Sequence, residues 1–354
     1  MDARSSTRIL LNVSLIVLAI LLTASFTEGI LRLLVPGSNV SLFEYTASTP
    51  RFKVMKPNIQ GVVYGVPFET NNLGFRDQQP WGTEKDVGEF RVLVLGDSFT
   101  VSAGVAFHSI YTQVLQQVLQ EKLPHRRVRV MNLGVAGYNP IQYLLVLQEV
   151  GLDLRPDYLI VGVFPSNDFD NTTYEENKAV ALGMRPPPRE EGIRALYIYK
   201  AFGWRVEVMA RRIIGAVTGD VRERRPQSGP GSAGWESGGW EQNASALLSL
   251  AQVARKSNIP LLLVLLPTTY SFEKQEGTHR VVRQFCIANR IECLDMLDAF
   301  IKTGSSPRRF KINVIDDHPN TEYHRIVGHR LGHYVATRLG QPGDPETKEV
   351  RIVP

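Results

Sequence analysis

From Ile9 to Phe26 the chain reads ILLNVSLIVLAILLTASF, 18 residues without a charge. At a rise of about 1.5 Å per residue this run nearly crosses a hydrocarbon core of about 30 Å. Carrying it on to Val35 adds only Glu28 and Arg32. Residues 37–90 are polar and turn-rich, punctuated by Gly61, Gly65, Asn71-Asn72 and Gly74, and predict a spacer with a hairpin. The pattern then changes again. Nearly continuous apolar runs, the mark of strands buried on both faces of a parallel sheet, recur at Arg91–Gly96, Val128–Met131, Tyr158–Phe164, Leu261–Leu266 and, more weakly, Ile291–Met296. Helical spacing lies between them. Ile110, Val114, Leu115, Val118 and Leu119 share one face, and Pro140–Val150 follows Asn139, with Asn suited to the N-cap and Pro to the first helical position. A last helix begins after Asn320 and carries Ile326, Val327, Leu331 and Val335 on one side. The alternation predicts an α/β fold: a flavodoxin-like three-layer α/β/α sandwich with a mostly parallel five-stranded sheet.

One interval breaks the rhythm. Roughly 80 residues separate Phe164 from the helix expected near Asn243, too many for a plain connection. Within it, Ile193–Val217 alternates Leu196, Tyr197, Phe202, Val206, Met209 and Ile213 with arginines and Lys200, the pattern of one or two amphipathic helices. A lid, a membrane-surface contact and a helix packed on the domain edge all fit that pattern. Pro226–Trp240 holds five Gly, two Pro and three Ser and predicts a flexible linker, with Trp235 and Trp240 as candidates for stacking on a sugar.

Composition narrows the class. The 354 residues include 40 Lys plus Arg against 35 Asp plus Glu, a net charge of +5, with 43% hydrophobic and 21% charged residues. These values exclude disorder, collagen and coiled coil as whole-chain descriptions. The basic excess forms no long stripe, so nucleic acid is not an expected partner. Two cysteines exclude a disulfide scaffold; Cys286 and Cys293 can be a buried thiol pair or, in an oxidising compartment, a disulfide. Arg4 and Arg8 precede the apolar run against one acid, Asp2, so the positive-inside rule places residues 1–8 in the cytoplasm and the chain after residue 36 outside. A cleaved signal peptide is the rival reading; Thr23 and Ser25 are small residues before a cut, but no A-x-A site follows.

In open α/β sheets, ligands bind beyond the carboxyl ends of the strands. Those ends read Gly96-Asp97-Ser98, then Asn132-Leu-Gly-Val-Ala-Gly137, then Pro165-Ser-Asn167-Asp168; Asp316-Asp317-His318-Pro319 follows the short Phe310–Ile315 stretch. In this order over residues 90–340 the four blocks resemble those of the SGNH/GDSL hydrolases. The apolar N-terminus, Asn72-Leu-Gly-Phe-Arg76 and the Gly-Asp-Ser-Phe-Thr variant are similar to the bacterial membrane-anchored members. The resemblance implies Ser98 as nucleophile, the N–H groups of Ser98 and Gly137 and the Asn167 amide as oxyanion donors, His318 as general base, and no cofactor or metal. Such chemistry needs a base to activate a hydroxyl, an acid to hold the imidazole tautomer and donors aimed at a developing oxyanion.

Two positions depart from the family pattern. The fourth block is usually Asp-x-x-His, but Ile315 stands three residues before His318; Asp316 is the favoured acid and Asp317 the alternative. Pro165 stands where the third block usually has Gly, a change that can tilt Asn167. Asp97 and Asp168 are supporting residues, read as turn hydrogen-bonders in preference to a glycosidase-like carboxylate pair. His329 and His333 have the spacing of an H-E-x-x-H zinc motif, but Arg330 occupies the glutamate position. Asn171 and Asn243 begin glycosylation sequons by pattern only.

The domain organisation expected is an anchor at 1–36, a spacer at 37–90, a hydrolase domain at 91–340 with an insertion at 171–240, and a tail at 341–354. The function expected is a serine esterase removing acyl groups, O-acetyl foremost, from a cell-envelope carbohydrate or another small ester. It would be anchored through residues 9–35 in a bacterial inner membrane with its catalytic domain outside, or else secreted. An O-acyltransferase using the same site and a non-catalytic polysaccharide-binding or assembly protein are the alternatives.

Overall fold

The computed structural model describes residues 3–34, 38, 40–187, 239–313 and 316–340. The Ile193–Val217 segment, Trp235 and most of the expected linker, Ile315 and the 341–354 tail lie outside the described residues. The chain divides into two compact units, and the described part of the first is helix α1, Ala3–Leu34. Its Leu11–Leu33 span is long and apolar enough to cross a membrane, by length and composition, with mean hydropathy 2.0. The two charges within that span neutralise each other one turn apart, Arg32 Nε to Glu28 Oε1 at 2.7 Å.

The second unit is built on a five-stranded parallel sheet. Its strands are β5 (Glu89–Leu95), β6 (Arg127–Asn132), β7 (Tyr158–Val163), β8 (Leu261–Leu265) and β9 (Glu292–Asp295), in the order β6-β5-β7-β8-β9. Order reverses at β5, so the crevice beyond its carboxyl end is the topological switch point where ligands bind in such sheets. Each central strand is buried on both faces and feeds two cores alternately. Leu93, Leu95, Leu159 and Val161 point into one, Val92, Val94, Ile160 and Val264 into the other. The first core is covered by α4 (Pro140–Val146), α6 (Gly239–Lys256) and α7 (Glu276–Ala288), the second by α3 (Tyr111–Lys122) and α9 (Thr321–Arg338).

The short elements outside the sheet differ from expectation in three places. Residues expected as a spacer with one hairpin form two, β1 (Phe43–Tyr45) with β2 (Lys53–Met55) and β3 (Gln60–Val63) with β4 (Val66–Glu69). Met55, Val63, Phe68, Phe75 and Trp81 join the first core, because too much apolar area alternates through this polar stretch to be left in water. The helix predicted from Pro140 to Val150 is α-helical only to Val146 and continues as a π turn over Leu147–Gly151. Finally, α6 starts at Gly239, earlier than the linker reading allows, because Trp240 packs on Phe169 and Phe285 at 4.5 and 5.9 Å between ring centroids. That contact removes Trp240 as a free sugar platform. Cys286 and Cys293 are buried free thiols.

Helices α3 and α9 approach closely through two glycines one turn apart. A Cβ on Gly328 would lie 2.5 Å from Val114 Cβ, and one on Gly332 would lie 2.6 Å from a Val118 methyl. Alanine gains about 1 kcal/mol of helix propensity over glycine, but overpacking a dense core costs about 1–3 kcal/mol. Gly328→Ala should therefore lower the thermal unfolding midpoint of the full chain by several degrees; an unchanged or raised midpoint would mean that the two helices can separate at little cost.

Candidate active site

The first block sits where β5 passes into the one-turn helix α2 (Ser98–Val101). From Glu89 to Ser102 every residue is buried except Ser98. Asp97 caps the turn, its Oδ1 accepting from Phe99 N at 2.9 Å. The N–H of Ser98, first in the helix, has no intrahelical acceptor. Two residues on, Thr100 is fully buried and shares a 2.9 Å hydroxyl contact with Tyr111. A Cβ on Gly96, Gly134 or Gly162 would run into Thr100, so the ends of β5 and β6 and the backbone of β7 close on one small side chain.

The second block is tied to the first by Asn132, whose Nδ2 donates to Thr100 O at 2.8 Å while its Oδ1 accepts from Gly134 N at 2.9 Å. Val135 N donates to Gly96 O at 3.0 Å. After these buried residues the chain surfaces at Ala136 and Gly137. Gly137 has φ +74, which only glycine adopts readily.

In the third block, Asp168 Oδ2 accepts from Phe164 N at 2.9 Å and from the Tyr143 hydroxyl at 3.0 Å. Asn167 is exposed, and its Nδ2 points back to Asp97 Oδ2 at 3.4 Å. Pro165 is accommodated because the turn draws its hydrogen bonds from its neighbours: Asn167 N and Asp168 N both donate to Phe164 O. The replacement of Gly thus leaves the Asn167 amide directed at the first block.

The fourth block is a loop rather than a strand end. A 3₁₀ turn over Pro307–Phe310 leads to a lone bridge between Lys311 and Pro319. Asn320 holds its base, donating to Arg309 O and Lys311 O and capping α9 through Tyr323 N at 3.2 Å. Of the two candidate acids, Asp316 meets the imidazole: its Oδ1 lies 2.5 Å from His318 Nδ1 and 2.9 Å from His318 N. Asp317 turns away to pair with Lys311. The half-exposed His318 ring leans on Phe99, the neighbour of Ser98, at 6.0 Å between centroids.

These carboxylates differ in charge state. Burial pushes Asp97 up to about 6 against the hydrogen bond from Phe99 N and the charge of His318. Burial and the nearby Asp97 hold Asp168 well above the usual carboxylate range. Both are wholly buried, so neither can face a substrate as a glycosidase pair must. For His318, burial favours the neutral form, but the Asp316 hydrogen bond and charge, then Asp97 and Asp317, outweigh it and raise its pKa. Asp316 is lowered despite its own burial, through the same contact with His318. Among the described residues no cluster of three or more His, Cys, Asp or Glu is placed to hold a metal.

No protein-family model and no curated protein matches the chain. Solved structures that resemble it include a two-domain esterase active on acetylated mannans, crystallised with mannopentaose (14% identity, TM-score 0.43, covering 73% of this chain and 53% of that one). An acetylxylan esterase from Geobacillus stearothermophilus, a catalytic mutant, aligns at 14% identity and TM-score 0.42, covering 70% of this chain and 93% of that one. A structure assigned to the G-D-S-L family of lipolytic proteins, from Desulfitobacterium hafniense, aligns at 14% and 0.38, covering 68% and 97%. The chain spans about half the length of the two-domain esterase.

The ion pair gives His318 a measurable signature. In the full chain carrying carbon-labelled histidine, with His318→Gln to assign the resonance, His318 should titrate above 6.5, and Asp316→Asn should move that midpoint down. A midpoint that Asp316→Asn leaves in place would show that the pair does not form in solution.

Proposed function

We propose that the chain is a serine esterase of the SGNH/GDSL type that removes acyl groups, O-acetyl foremost, from a carbohydrate outside the cytoplasm. One observation carries the reading: the only accessible residue of a buried strand-turn-helix is a serine, and a carboxylate-bound imidazole leans on the residue next to it. A serine is a weak nucleophile at neutral pH and needs such a base. Proton transfer from Ser98 Oγ–H to His318 Nε2 frees the oxygen to attack the ester carbonyl. The imidazolium that forms keeps its Nδ1–H on Asp316 and is further favoured by Asp97 and Asp317.

The carbonyl oxygen, now an anion, is received by Ser98 N–H, Gly137 N–H and the Asn167 amide. Collapse of the intermediate expels the alcohol, which takes its proton from His318, and leaves an acyl group on Ser98. Water repeats the sequence and regenerates the serine. Asp97 serves indirectly: it fixes the turn that presents Ser98 and accepts from the Asn167 amide. Helix α1, in this reading, tethers the domain to the outer face of the membrane, and an enzyme so held meets envelope polymers first.

Incubating the full chain in detergent with a fluorophosphonate should give a single adduct on Ser98, absent in Ser98→Ala and His318→Ala. With p-nitrophenyl acetate, Asn167→Ala should lose about 10²–10³-fold in kcat and Asp316→Asn about 10²–10⁴-fold. Because the base must be neutral, kcat/KM should rise with pH through a midpoint above 6.5. A folded wild type that takes no label and hydrolyses no ester would sink the proposal in favour of a binding protein.

A further inference from the structure

Lys53 comes from β2, in the hairpin region that precedes the sheet, yet it reaches the second block. It is 6% exposed. Its Nζ donates to Ala136 O at 2.6 Å and stands 4.8 Å from the centre of the Phe43 ring. A Cβ on Gly137 would sit 3.1 Å from the same nitrogen. The Tyr138 hydroxyl in turn donates to Lys53 O, so the lysine is held from both sides by the loop it contacts.

The acceptor matters. Ala136 C=O and Gly137 N–H belong to one peptide unit, and in a planar trans peptide the two bonds point in opposite directions. There are no cis peptide bonds among the described residues. A cation fixed on the carbonyl therefore fixes the direction of the N–H on the far side. It also draws electron density toward the oxygen and makes that N–H a stronger donor, as in any chain of polarised hydrogen bonds. No backbone carbonyl of the described residues accepts from Gly137 N–H, so the donor is free for a ligand.

We propose that Lys53 is a positioning residue of the oxyanion hole, its buried ammonium aiming and polarising the Ala136–Gly137 peptide so that Gly137 N–H meets the developing oxyanion. The proposal rests on the reading of Ser98 and Gly137 given above. It assigns the region before the sheet a part in catalysis: a side chain outside the four blocks completes one of them. Lys53→Met keeps the apolar stem and removes the charge, and Lys53→Arg keeps the charge with another geometry.

The neighbourhood makes the effect titratable. Burial brings the Lys53 ammonium down to about 8. The groups around it are Tyr45, opposite it on β1, Tyr138 beyond the second block, Arg51, which is paired with Glu149 at 2.8 Å, and Tyr174, Glu175, Glu176 and Lys178 of the helix Thr172–Ala181, which packs on β1 and β2. No carboxylate of the described residues pairs with Nζ itself. Raising the pH through about 8 should therefore remove the charge from the peptide and slow acyl transfer.

The test uses the full chain in detergent, with p-nitrophenyl acetate for turnover and a fluorophosphonate for the nucleophile. Wild type should show an alkaline loss of kcat near pH 8. Lys53→Met should lower kcat by about 10-fold to 100-fold, less than loss of a direct donor, with KM nearly unchanged and the alkaline loss gone. Lys53→Arg should recover most of kcat and move the loss to higher pH. Lys53→Met with wild-type kcat, or an alkaline loss common to all three proteins, would overturn the assignment while Ser98 labelling leaves the esterase reading intact. Failure of the wild type to label would bring down both. Where Lys53→Met does not fold, the wild type and Lys53→Arg decide: an alkaline midpoint that arginine does not move overturns the proposal.

Discussion

The site is organised around a carboxylate that water does not reach. Asp97 is fully buried behind Ser98, and its two hydrogen bonds, from Phe99 N and the Asn167 amide, run to two different blocks. Burial wins over those bonds: a carboxylate displaced from its ordinary 3.8 to about 6 is destabilised as an anion by about 3 kcal/mol. The sign follows from linkage. A carboxylate raised in the folded state binds its proton more tightly there than in the unfolded chain, so its contribution to stability declines as pH rises from about 4 to about 6. Above that range the fold carries the cost permanently. What offsets it is position: the same negative charge raises His318, so the anion is best tolerated when the imidazole is protonated, the state that the proposed acyl transfer would create.

Close packing makes that arrangement rigid. Thr100 fills the space between Gly96, Gly134 and Gly162, and Asn132 spans from the second block to the carbonyl of the same threonine. A larger residue at any of the three glycines meets another block rather than solvent. The Ser98 turn, the Gly137 loop and the β7 strand before the Asn167 turn are thus one packed object, and a displacement of one strand end is felt by the others.

Much of this was legible in the chain and some was not, for physical reasons. Strands buried on both faces announce themselves as apolar runs, so the sheet and the residues just past its strand ends could be read directly. Spacing favoured Asp316 but left Asp317 open, since adjacent residues in a loop point where the loop sends them; the Lys311 contact draws one away and leaves the other to His318. One hairpin was expected in this stretch and two form; the second was hidden because the buried residues of the stretch, Met55, Val63, Phe68 and Trp81, are widely spaced among polar ones. Nothing in Phe52-Lys53-Val54 marks a buried cation, because a lysine between two apolar residues on a strand reads as the solvent-facing position.

The two cations that this region supplies solve the same problem differently. Arg76 is buried against three carbonyls at the end of α2 and just past it, Val101 O at 3.0 Å, Ser102 O at 2.5 Å and Val105 O at 2.6 Å, and stacks over Phe68. Its planar fork satisfies several acceptors at once, and even lowered by burial to about 10 it stays charged at neutral pH. Support of α2 is therefore unconditional. Lys53 places a compact charge on one carbonyl, and burial brings it near the pH at which cells work. A guanidinium suits the element that must only be held; an ammonium, smaller and able to titrate, suits a loop whose N–H is proposed to meet a transient charge. The segment before the sheet thus braces the serine turn through one residue and, in the proposed reaction, tunes the receiver of the oxyanion through the other.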